Sequence, residues 1–269
     1  MNNTFNINRF GLLLKRQWLE FGKIYLMSLV VLAGIIIGFY FFNMPKTDSP
    51  YLRWDNHNHV TLGFRPLIFL LVGFLFISIE ASSYFNLLGQ KPKAIMELMT
   101  PASITEKFVC AILFTLLSIA SYLIIFYLID QAFLSHLNGL WEGRQEINYK
   151  TNKLTLITFG TIADDMTDER EFKYLFALPF FVTSIFLLGS VYFNRFHYIK
   201  TAVSVTAIFS CVIFLTIKFG SWVTEGKSRI QSINTTERDF VFTIFFWSSV
   251  ALSLIIWLIT YVRLKEKEV

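Results

Sequence analysis

Charge is scarce in this chain. Of 269 residues only 16% are Asp, Glu, Lys or Arg, while 54% are hydrophobic. A soluble domain carries closer to a quarter of charged residues and lacks long unbroken apolar runs, so a water-soluble globule is disfavoured at once. Cysteine is nearly missing: Cys110 and Cys211 both fall in apolar runs, which argues against a disulfide scaffold and for small packing residues. Only four histidines occur. His57 and His59 flank one residue in "WDNHNH", beside Asp55, and a solvated loop accounts for them better than a metal site does. His136 and His197 have no partner at H-E-x-x-H spacing. With no nucleophile elbow and no paired carboxylates in the apolar runs, an intramembrane hydrolase is disfavoured, and no cofactor or metal is expected. A phosphate-cradling loop is missing too. The nearest stretch, "GSWVTEGKS" from Gly220 to Ser228, has one residue too many between its glycines for a Walker A loop. No internal repeat or low-complexity linker is visible.

What the chain does have is length of apolar run. Six runs stand out: 24–42, 66–88, 108–129, 174–193, 201–217 and 240–262, and five of them contain no Asp, Glu, Lys or Arg. A run of about 20 residues crosses the bilayer hydrocarbon as a helix, because every backbone polar group must be paired internally there. The expected class is an all-α membrane protein with six transmembrane helices, one transmembrane domain over 1–269, and an external loop subdomain at 130–173. The first run starts only at Ile24 and has no A-x-A-like exit, so it does not have the form of a cleaved signal. Glu80 is the one ionisable residue inside a run. A carboxylate at a helix centre costs about 2.5–3.5 kcal/mol on insertion scales. Glu80 therefore either lines a translocation path or bonds Ser82, Ser83 or a neighbouring helix.

Loop charges give the orientation. With the N-terminus inside, the inner segments 1–23, 89–107, 194–200 and 263–269 hold 12 Lys/Arg and 5 Asp/Glu in 56 residues. The outer segments 43–65, 130–173 and 218–239 hold 12 Lys/Arg and 13 Asp/Glu in 89 residues. The bias favours both termini in the cytoplasm, and it explains the net charge of +5 without nucleic-acid binding. The short "NRFHYIK" at 194–200 makes runs four and five an antiparallel hairpin. Outside, "KLTLITFGTI" at 153–162 alternates like a strand, and the acidic "DDMTDEREF" at 164–172 is expected to share its subdomain.

Two inner segments are patterned. In residues 8–25, Phe10, Leu13, Leu14, Trp18 and Phe21 recur at helical spacing, with Arg9, Lys15, Arg16, Gln17 and Glu20 on the other side. That is the make-up of an amphipathic helix lying in the membrane interface. In "KAIMELMTPASITEKF", residues 93–108, Ile95, Met96, Leu98 and Met99 form a short apolar face that Pro101 ends. Ser103 and Glu106 then make a capping box, S-x-x-E, immediately before the third run. A short rigid helix at a span junction is suited to passing a push from outside the bilayer to runs two and three.

The stretch "MELMTPASITEKF" resembles one found in many bacterial ABC-2 type transporter permeases, especially those of Bacteroidetes. The matching positions are Pro101, Ala102, Ser103, Glu106 and Lys107. The layout is similar as well: an amphipathic N-terminal helix, six spans and both ends inside. One departure is that the largest loop here lies between runs three and four, not between the last two. The resemblance implies a permease subunit in the inner membrane of a bacterium, an exporter by expectation, that binds no nucleotide and is not itself an enzyme. It further implies a separate cytoplasmic ATP-binding ABC subunit, and a second permease chain with the path between the two. Met96, Leu98 and Met99 would then dock on the ATP-binding subunit, with Pro101, Ser103 and Glu106 holding the element's shape. The competing reading is a non-transporting assembly or sensor protein that works through its external loops.

Overall fold

The computed structural model describes residues 5–45, 53–54, 59–85, 99–148, 151–162, 172–223 and 235–268. Among these, six α-helices dominate: α1 (Ile7–Phe42), α2 (Phe64–Ser83), α3 (Ile104–Leu140), α4 (Leu178–Tyr192), α5 (His197–Val223) and α6 (Thr235–Glu268). Two small antiparallel pairs accompany them, β1 (Arg53–Trp54) with β2 (Val60–Thr61), and β3 (Gln145–Asn148) with β4 (Lys153–Leu156). Five of the helices, all but α4, are long and apolar enough to cross a membrane, which makes the chain a multi-pass membrane protein in character.

Three boundaries differ from the sequence reading. The amphipathic N-terminal segment is not a separate interfacial helix, because α1 runs unbroken for 36 residues. No proline lies between Ile7 and Phe42 to break it, and about 54 Å of helix results, well beyond the ~30 Å of hydrocarbon. Likewise α3 does not end at the edge of its apolar run but continues to Leu140. Asp130 interrupts the hydropathy without interrupting the helix, so the supposed loop 130–173 opens with three more helical turns. The fourth run, 174–193, divides into a 3₁₀ helix (Phe172–Ala177) and α4, an α-helix of only 15 residues with proline in its first turn. Proline suits that position, where its missing N–H would have no helical acceptor. By its own length α4 is shorter than a span.

The chain forms two compact units, Met1–Phe10 with Ser78–Ile112 and Tyr174–Val269, and Gly11–Ile77 with Leu113–Lys173. In the second unit the helices bury one stripe each. On α1 it is Leu13, Gln17, Tyr25, Leu32, Ile36 and Tyr40; on α3 it includes Thr115, Ser118, Tyr122, Phe126, Asp130 and Leu134. Steps of three or four residues, or of seven or eight, keep each stripe on one helix face. The Tyr25 hydroxyl donates to the Leu117 carbonyl and meets Ser121, pinning the two stripes together. At the far end of α3 a cap forms, in which Trp54, Val60, Leu62, Leu134, Leu137, Trp141, Ile157 and Phe159 pack as one buried cluster. Trp141 meets Phe159 edge to face at 5.9 Å. The turn out of α3 uses Gly143 at φ +77, a conformation in which glycine has no Cβ to clash. The alternating segment 153–162 is a strand only to Leu156; Ile157 and Phe159 instead turn into the cap core.

In the first unit α4 packs on α5 and α6. The α4–α5 approach is close: a Cβ at Gly189 would overlap the Thr201 side chain. The expected hairpin between runs four and five is present, with four residues between Tyr192 and His197. Phe85, Ala111, Leu187, Val191 and Leu264 form the buried core, with Ile104, Phe108 and Trp257 against it. That cluster brings together the end of α2, the start of α3 and the ends of α4 and α6.

Candidate functional site

The capping box forms as its residue types require. The Ser103 hydroxyl accepts from the Glu106 N–H at 3.2 Å, and a Glu106 carboxylate oxygen accepts from the Ser103 N–H at 2.8 Å. Two of the first-turn donors that a helix leaves without intrahelical partners are satisfied reciprocally. The structure adds a second use of the same carboxylate. Its other oxygen accepts from the Asn6 N–H at 2.8 Å and from the Arg9 guanidinium at 3.0 Å. Asn6 is itself the cap of α1, its side-chain oxygen accepting from Asn8 N–H at 2.9 Å. One buried carboxylate therefore fastens the beginnings of α1 and α3 to each other. Glu106 is wholly buried and Arg9 only a third exposed. Three converging donors, one of them cationic, are what a buried carboxylate needs to keep its charge.

Around this clasp the other expected residues fall as follows. Met99 stands in a turn, 77% exposed, an apolar side chain offered to solvent. Pro101 follows it, also exposed, and the Ala102 N–H donates to the Thr100 carbonyl at 2.8 Å, shaping the break before α3. Met96 and Leu98 lie outside the described residues. Glu80 is half-buried on α2, and the Ser83 hydroxyl donates to its main-chain carbonyl at 3.1 Å. His57 and the acidic segment to residue 171 also lie outside the described residues. Among the described residues no group of three or more His, Cys, Asp or Glu side chains is placed to hold a metal. The Walker-like stretch begins inside α5, which runs to Val223, with no preceding strand to launch a phosphate loop.

A second buried cluster escaped the sequence reading. The Arg65 guanidinium donates to Asp130 through Nε at 2.9 Å and Nη2 at 2.6 Å, and through Nη1 to the Gly160 carbonyl at 2.8 Å. The Tyr40 hydroxyl donates to Asp130 at 2.7 Å. Both charged side chains are fully buried. This is a bidentate pair with its remaining valences largely satisfied, the geometry in which a buried ion pair is tolerable. It ties α1, α2, α3 and the segment after β4. A signal for it did exist: Tyr40, Arg65 and Asp130 each continue the buried stripe of their helix by one turn, with Ile36, Ile68 and Phe126 as the preceding or following members.

Both clusters hold helix ends together. In comparison with known proteins, no family model, no curated protein and no solved structure matches the chain.

Proposed function

We propose that the chain is the membrane-spanning permease subunit of an ABC-2 type transporter, an exporter that uses ATP hydrolysed by a separate cytoplasmic subunit. One observation carries this reading: the Glu106 clasp on Asn6 and Arg9. Anything that displaces the segment ending at Lys107 displaces the starts of two long helices together. A connecting loop has no need of such a fastening; a lever does. Met99, exposed beside the proline break, is the apolar contact such a lever offers to its driver. On this reading the basic ends of the helices face the cytoplasm. The starts of α1 and α3 and the ends of α2, α4 and α6 then share one side, so α4, led in by its 3₁₀ turn, serves as the sixth crossing. Two copies, or this chain and a related one, enclose the path.

Affinity purification of the chain from its own membrane tests this. An ATP-binding subunit is expected to come with it, and Met99→Glu is expected to abolish substrate-stimulated ATP hydrolysis while the chain still inserts. Purification without any ATPase, or normal stimulation in that variant, contradicts the proposal. The second reading, a sensor or assembly protein, draws on the cap around Trp54 and Trp141. It requires that the cap's integrity, and no ATPase, governs activity.

A further inference from the structure

We infer that a groove between α1 and α3 is a binding site for one anionic phospholipid. The groove has a volume of about 490 Å³ and is lined by Leu14, Lys15, Trp18, Leu113, Phe114 and Leu117, all within one unit of the fold. That volume is within the ordinary range of small-molecule sites. Its shape follows from the sequence. Leu14 and Trp18 are one helical turn apart on α1, as are Leu113 and Leu117 on α3, so two apolar ladders run along the helices with a trough between them. Each ladder is one turn, about 6 Å, long, so the trough takes a short stretch of an acyl chain lying along the helices.

The polar end is equally defined. Lys15 stands at the rim and is exposed, and Arg16 follows it, half-buried and 3.8 Å from Glu20. On α3 the trough begins at Leu113, about 8 Å of helical rise past Phe108, where the third apolar run starts, and from beside it the Lys15 stem reaches back toward the headgroups, near which tryptophan rings settle. The Trp18 ring is held against Tyr25 at 6.3 Å, edge to face, so the wall is set before a ligand arrives. An apolar trough in a membrane-crossing pair of helices, with a cation at its polar end, selects an acyl chain carrying a negative headgroup. A zwitterionic lipid gains the trough but not the charge.

Native mass spectrometry of the full chain, released from micelles doped with phosphatidylglycerol or phosphatidylcholine, tests this. Phosphatidylglycerol is expected to be retained about fivefold better than phosphatidylcholine, the effect of one basic side chain near a phosphate. Lys15→Gln should remove that preference and leave phosphatidylcholine binding unchanged. Leu117→Trp should fill the trough and lose both lipids, and the remote Lys153→Gln should change nothing. Thermal unfolding of each variant separates lost binding from lost fold. A wild-type protein without preference overturns the inference. So does an equal loss in Lys153→Gln, retention of both lipids by Leu117→Trp, or a Leu113→Cys variant that crosslinks to a second copy through the groove.

Discussion

Replacing Asp130 with asparagine changes one atom in outline and removes one charge from a site with no exposure. In the native cluster the carboxylate takes two guanidinium hydrogens and the Tyr40 hydroxyl. In Asp130→Asn the Arg65 cation stays buried but loses the carboxylate charge, facing an amide oxygen in its place beside the Gly160 carbonyl. Removing one partner of a buried ion pair costs about 3–5 kcal/mol, whereas an exposed pair such as Arg16–Glu20 is worth about 1 kcal/mol or less. Arg65→Met should cost as much, by leaving the carboxylate alone with a tyrosine. The double variant Arg65→Met/Asp130→Leu removes both charges and should recover most of the loss, since apolar replacement of a whole buried pair is often neutral. Reversible unfolding in mixed detergent micelles, run as a double-mutant cycle, measures the coupling. Single variants that each cost under about 1 kcal/mol, or a double variant as damaged as the sum of the singles, would refute the account of this cluster.

Further expectations follow from the same contacts. Ser103→Ala removes one cap and should cost about 1 kcal/mol, while Glu106→Gln weakens bonds to three donors and should cost more; the reverse order in thermal unfolding contradicts the clasp. Gly189→Ala places a Cβ against Thr201 and should destabilise by about 1–3 kcal/mol through overpacking, an effect that a parallel Gly139→Ala, with open space around it, will not show. Phe196, exposed at φ +53 where the chain turns into α5, carries the left-handed penalty of roughly 1–2 kcal/mol. Phe196→Gly should therefore raise the melting temperature, and a lowered one would show that its ring supplies a contact worth more than the strain.

How much of this was legible beforehand depends on which signal was local. Ser103 and Glu106 were readable as a capping box because that motif is written within four residues, and the two reciprocal bonds form. Five of the six apolar runs were readable because span length is fixed by the bilayer. What hydropathy could not give was where helices end: Asp130 and the basic segment around Lys15 interrupt apolarity, yet α3 and α1 continue through both. Arg65 and Asp130 stand at the edges of two apolar runs and read as loop charges. Their pairing depends on contacts 65 residues apart in sequence, and only their place on the buried stripes hinted at it. The bond from Glu106 to Asn6 and Arg9, about a hundred residues apart, was invisible for the same reason.

The most direct test concerns which face of the membrane presents the turn at Met99. In a background with Cys110 and Cys211 replaced by alanine, Met99→Cys is exposed to a membrane-impermeant maleimide in sealed vesicles of both orientations. Labelling of inside-out vesicles alone is the result expected of a cytoplasmic lever. Labelling of right-side-out vesicles alone would put Met99 beyond the reach of any ATPase and end the transporter mechanism.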